Sequence, residues 1–281
     1  HKTLEQVCEL LERSARNTKK NLKGDRALAV INGTYGEGKT FTLWHLQNRI
    51  LATPAERKKY FKDPNLRIAC SQFRLLQGGK LPSKPFLYLY KNILFNLGDA
   101  HDGRVFLNRL ADEDLPRVAK AKKTTVEALL TEIKNPFRDV MMQLGQDNPN
   151  EYLATQWLRG EKLKAKEMAT LGVKDNIDGD KNAEIALKEI LKLLGICEYN
   201  ELLVLADEAE DLMASGGRKP LLHYLITLRN MWDNTGDQLS RGDNIAPIVF
   251  VSAYWRDEPS TQRMTSEPSA RSPSPPAATM S

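Results

Sequence analysis

The 281-residue chain sets 41 basic against 36 acidic residues, a formal charge of +5, so its charge permits contact with nucleic acid without dictating it. No apolar stretch approaches the roughly 20 residues of a membrane-spanning helix, which argues against a membrane protein and for one large α/β domain carrying an insertion. Cys8, Cys70 and Cys197 are too far apart to suggest a disulfide framework or a zinc site. They fit core thiols in a reducing cytoplasm, and the start at His1 to Glu5, with no apolar signal region and no initiator Met, favours a processed or shortened chain over a secreted one.

Leu4, Val7, Leu10 and Leu11 recur at helical spacing and predict an amphipathic helix ahead of Gly24. The apolar run 27–31 then predicts a buried strand, and it leads directly into Gly33-Thr34-Tyr35-Gly36-Glu37-Gly38-Lys39-Thr40. A strand followed by this octapeptide is a phosphate-binding P-loop, or Walker A element. Gly33 and Gly38 let the backbone curl, so that successive N–H groups and the positive end of the following helix converge on one anionic centre. Lys39 then reaches the β- and γ-phosphate oxygens, and the Thr40 hydroxyl is one ligand of a bridging Mg²⁺ ion. The helix carrying the loop is expected over 41–51, ending before Pro54.

A second strand is expected over 66–73, bounded by the Gly78-Gly79 turn, and a helix over 85–97 with Leu87, Tyr90, Ile93, Leu94 and Leu97 on one face. Residues 99–200 show helical periodicity in pieces, broken near Pro116, at Asn135-Pro136, at 146–150 and at 172–179. Basic runs at 57–59, 120–123 and 162–166 have the spacing of solvated helix faces. A strand over 202–206, a helix over 221–232 and a strand over 247–252 follow, and the Ser- and Pro-rich residues 256–281 offer nothing to pack, which predicts disorder.

The run 201–206 ends in Asp207-Glu208, the form of a Walker B element. Strands of an open parallel sheet present their ligands at the carboxyl edge, where the P-loop also opens. Asp207 is expected to hold Mg²⁺ through its water shell, and Glu208 to polarise the water that attacks the γ-phosphorus. A water-activating acid favours hydrolysis over kinase chemistry. The nearest candidate for a guanine-reading segment, residues 174–178, does not match one, so adenine is the expected base. Ser252, ending its strand, is a candidate γ-phosphate sensor. Residues 164–173 also have the look of a helix closed by a glycine turn, the first half of a helix-turn-helix, although the acidic residues 174–180 beyond it would repel phosphate.

Three segments together carry a family resemblance: 31–40 with the P-loop, Gln156-Trp157-Leu158-Arg159-Gly160-Glu161, and 203–210 with Asp207-Glu208. From about Ala27 to Ala253 the chain resembles the ATP-binding proteins of BREX phage-defence systems, which look like AAA+ or initiator-type ATPases. The resemblance implies an α/β fold of the P-loop NTPase (ASCE-like) kind, a parallel sheet flanked by helices with a large helical insertion between Walker A and Walker B. The expected organisation is 1–99 for the N-terminal helix and P-loop half, 100–200 for the insertion, 201–255 for the Walker B half and 256–281 for the tail. Lys39 and Glu208 are the catalytic candidates; Gly33 to Thr40 and Ser252 bind nucleotide; Thr40 and Asp207 hold the metal. ATP and Mg²⁺ are the expected ligands, DNA and other defence-system proteins the implied partners, and a homo-oligomer one assembly that would complete the site. The alternative is a nucleotide-controlled switch, or a DNA-binding adaptor, with slow or no hydrolysis of its own.

Overall fold

The computed structural model describes residues 2–19, 27–33, 38–75, 82–98, 102–208, 226, 229–230 and 245–255. The expected Gly78-Gly79 turn, the helix over 221–232 and the tail fall, in whole or in most part, outside the described residues. Helix α1 (Lys2–Lys19) leads to strand β1 (Ala27–Gly33). Helix α2 (Lys39–His45) runs on into a π-helical turn (Leu46–Leu51), followed by α3 (Pro54–Tyr60) and strand β2 (Ile68–Arg74). Seven α-helices, α4 (Pro85–Phe95), α5 (Gly103–Arg109), α6 (Leu115–Lys122), α7 (Val126–Leu129), α8 (Phe137–Met141), α9 (Glu151–Leu158) and α10 (Ala165–Leu171), lead to an eighth, α11 (Asp180–Ile196). Strands β3 (Glu201–Asp207) and β4 (Ile248–Trp255) complete the described elements.

The four strands form one sheet in the order β1-β4-β3-β2, every neighbouring pair parallel. A parallel sheet is covered on both faces, and the period-2 alternation of each strand sends its side chains to two cores. Ala69, Phe73, Leu202, Val204, Ala206, Ile248 and Phe250 join the larger core with α4 and α11. Ile31, Cys70, Leu203, Leu205, Val249, Val251 and Ala253 join the other, closed by Leu4, Val7, Cys8 and Leu11 of α1 and by Leu43, Leu46 and Ile50. This double burial explains why β3 and β4 read as unbroken apolar runs. Strand β2 is less transparent in sequence because Cys70-Ser71-Gln72 interrupts its apolar character, and Ser71 is accommodated by donating its hydroxyl to the Ile93 carbonyl at 2.9 Å.

The helices between β2 and β3 are continuous with the larger core. The Trp157–Glu161 turn is a joint within it. Trp157 is 2% exposed, lies 5.1 Å from the Phe137 ring and donates its indole N–H to the Asp175 carbonyl at 2.9 Å. The Leu158 carbonyl accepts from the Tyr90 hydroxyl, and the Arg159 guanidinium lies 3.6 Å from the centroid of Phe95, so the turn ties α9 to α4. Gly160 has φ 74, and a Cβ there would meet Lys91 at 3.2 Å, which is the reason for glycine at this position.

Gly172 closes α10 in the left-handed conformation, as the helix-turn-helix reading requires. The next helix is α11, in which ten of 17 residues are buried against α4 and the sheet. A core helix of this kind is not a free recognition helix, so the structure gives the DNA-reading motif no support.

Candidate nucleotide site

Strand β1 ends at Gly33, and the chain is described again from Gly38; Thr34, Tyr35, Gly36 and Glu37 lie outside the described residues. Gly38 is the N-cap of α2 with φ 74 and ψ 26, a left-handed conformation that costs glycine nothing. Its carbonyl accepts from the Thr42 N–H at 2.8 Å and from the Thr42 hydroxyl at 3.0 Å, which fixes the first turn. No side chain caps α2, so the amides of its first turn face the end of the loop with the positive pole of the helix behind them. Lys39 is half-buried and Thr40 exposed in that turn. Leu43 and Leu46, fully buried one and two turns on, anchor α2 against β1, β3 and β4.

Strand β3 delivers Asp207 and Glu208 to the same edge, because β1, β4 and β3 are parallel. Ser252 of β4 stands in register with Val30 on one side and Ala206 on the other, buried between the two strands. The single intervening strand sets the ends of β1 and β3 roughly 10 Å apart, a span that a Mg-triphosphate can bridge. Asp207 is half-buried; its carbonyl accepts from Leu75 N–H at 2.9 Å and its Oδ1 from the Glu208 N–H at 3.0 Å. Among the described residues, Oδ2 of Asp207 takes no hydrogen bond.

Glu208 leaves the strand with φ 56, an unusual conformation for a residue with a side chain. Its carboxylate pairs with the Arg74 guanidinium. Arg74 ends β2 in register with Asp207, so the pair bridges two strand termini at the sheet's carboxyl edge. Arg74 has no motif around it and meets Glu208 only through the strand register, so no sequence signal singles it out.

A family model described as BREX system ATP-binding protein BrxC/D matches residues 108–238. The resemblance to the BREX ATP-binding proteins is shown over that stretch. The matched residues hold both the Trp157–Glu161 joint and the Asp207-Glu208 strand end, while the glycine-rich segment Gly33 to Thr40 lies ahead of them. Neither the search of curated proteins nor that of solved structures gave a match. Within the described residues no helix is long and apolar enough to cross a membrane.

Proposed function

We propose that the chain binds Mg-ATP at the carboxyl edge of β1, β4 and β3 and hydrolyses it, serving assembly or remodelling on DNA in BREX phage defence. The observation that supports this reading is the parallel order β1-β4-β3: β1 leads into the glycine segment ahead of Lys39-Thr40, β3 ends at Asp207, and Ser252 of the strand between them is in register with Val30 and Ala206. The BREX family description supports ATP as the ligand.

The donor set fits a hard divalent cation. The described residues contain no group of three or more His, Cys, Asp or Glu that could hold a metal alone, whereas Mg²⁺ characteristically takes one or two protein oxygens with phosphates and waters. The Thr40 hydroxyl and Asp207 carboxylate would be those oxygens. When bound, Mg²⁺ neutralises charge that builds on the phosphate oxygens. Lys39 and the α2 amides hold the β- and γ-phosphates in line, and Ser252 senses the γ-phosphate from β4. Glu208 accepts the proton of the attacking water as its oxygen bonds to the γ-phosphorus. The bond to the β-phosphate oxygen breaks, leaving ADP and phosphate.

The Arg74 pair favours a second reading, a nucleotide-controlled switch, since the guanidinium occupies Oε2 of the Glu208 carboxylate and restrains it. Single-turnover phosphate release from the wild type and Glu208→Gln distinguishes the two. Hydrolysis by this route predicts a loss of at least about 100-fold in the variant. Equal rates exclude Glu208 as the base and leave the switch.

A further inference from the structure

Helix α2 spends two large aromatic side chains on solvent within a turn and a half of Lys39. Phe41 is 64% exposed and Trp44 44%, although burying such a side chain contributes about 1.5–3 kcal/mol. Their rings are clustered: Phe41 lies 5.9 Å from Trp44, and 5.8 Å from the ring of half-buried His45 at an interplanar angle of 20°. The opposite face of the helix, at Leu43, Leu46 and Gln47, is fully buried, so the fold itself does not require the aromatic face.

We infer that Phe41, backed by Trp44 and His45, is the platform on which the nucleobase of the bound nucleotide stacks. The inference rests on the P-loop reading of Lys39 and Thr40. A nucleotide whose phosphates sit on those residues carries its base on a short ribose tether, so the base comes to rest beside the cradle. Phe41 follows Thr40 directly, and its Cβ is 4.0 Å from the place that a Cβ on Gly38, the N-cap of α2, would occupy. A bare aromatic face at that point suits a flat, apolar-faced π system, and stacking of a base on an aromatic side chain needs no hydrogen-bond readout. The ring against His45 holds the platform in place, which limits the ordering that binding must do.

Equilibrium titration of the full chain with ATP and with inorganic tripolyphosphate, both with Mg²⁺, tests this. In Phe41→Ala, ATP binding weakens by about 10-fold while tripolyphosphate binding stays at the wild-type level, and Phe41→Trp restores ATP. Because Phe41 is largely exposed, the variant melts with the wild type. Unchanged ATP affinity in Phe41→Ala overturns the inference, as does an equal loss for both ligands, which would make Phe41 a support for the loop. A fall in particle mass with ATP affinity intact also overturns it, by assigning the aromatic face to a protein contact. Lys39→Ala is the separate control: if it retains both ligands, the P-loop reading fails whatever Phe41 does.

Discussion

Arg74, the last residue of β2, pairs with Glu208, the first residue past β3, so the candidate base is held by a neighbouring strand. Arg74 stands in register with Asp207, and one residue of over-run at φ 56 brings Glu208 back to it. The pair is partly solvent-exposed, 54% for the Arg74 side chain and 29% for Glu208, so its strength is that of a surface ion pair, about 0.2–1 kcal/mol. It is therefore strong enough to bias Glu208 and weak enough to be broken by a bound triphosphate.

Arg74→Ala is accordingly expected to raise the rate of phosphate release by about 1.4- to 5-fold, the range that such a pair energy permits. Added salt, which screens exposed pairs, is expected to narrow the difference between variant and wild type. A phosphate-release assay at two ionic strengths checks both. A slower Arg74→Ala would make the arginine part of the reacting site instead of its restraint.

Glu201, at the start of β3, is fully buried, and burial holds its carboxyl well above the ordinary 4.5. Since the folded-state value is raised, the folded chain binds this proton more tightly than the unfolded one. The contribution to stability is complete below the unfolded value and is lost as pH rises through the folded one. Urea unfolding at pH 5 and pH 8 is expected to show the wild type less stable at the higher pH. Glu201→Gln, which cannot ionise, reduces that difference and gains on the order of 1–2 kcal/mol at pH 8.

How far the sequence was legible follows from how local each signal is. Strands β1, β3 and β4 declare themselves because two buried faces leave no polar alternation, although β4 runs on to Trp255, so Ser252 lies inside its strand and does not end it as expected. The glycine-rich octapeptide and the Asp207-Glu208 pair are legible as short local patterns. The expected helix 41–51 begins two residues earlier, at Lys39, and turns π-helical at Leu46, a change that no residue pattern announces. The expected strand 66–73 becomes 68–74, because Leu66 packs in the core before the ladder starts and Arg74 still pairs with Asp207. The Arg74–Glu208 pair joins residues that are distant in sequence through a register that sequence alone does not specify. The exposure of Phe41 is invisible for a different reason: hydrophobicity predicts burial, and a ring left in water departs from that rule.

The Trp157–Glu161 joint had no evident role in the sequence, and its packing assigns it a structural one. Trp157→Ala removes a 2% exposed indole from between Phe137 and the Asp175 carbonyl and is expected to cost about 3–5 kcal/mol. Tyr152→Ala, earlier on α9 and 54% exposed, is expected to cost under about 1 kcal/mol. Chemical denaturation of both variants separates the two values.

The cysteines are expected to be inert in the folded chain. Burial pushes the Cys8 and Cys197 thiols up to about 12, and Cys70 is equally buried within β2. The thiolate is the reactive form, so Ellman's reagent at pH 8 should modify none of the three until the protein is unfolded. Fast reaction at any one of them would show that its core opens locally.

The central claim is that the glycine turn at Lys39 and the acidic end at Asp207 hold one Mg-triphosphate between them. Calorimetric titration of ATP with and without Mg²⁺, for the wild type, Lys39→Ala and Asp207→Asn, tests it most directly. The predicted result is at least about 30-fold weaker binding in Lys39→Ala under both conditions, and in Asp207→Asn a loss confined to the Mg²⁺ titration. Wild-type affinity in Lys39→Ala, or a loss in Asp207→Asn that is the same with and without Mg²⁺, would contradict it.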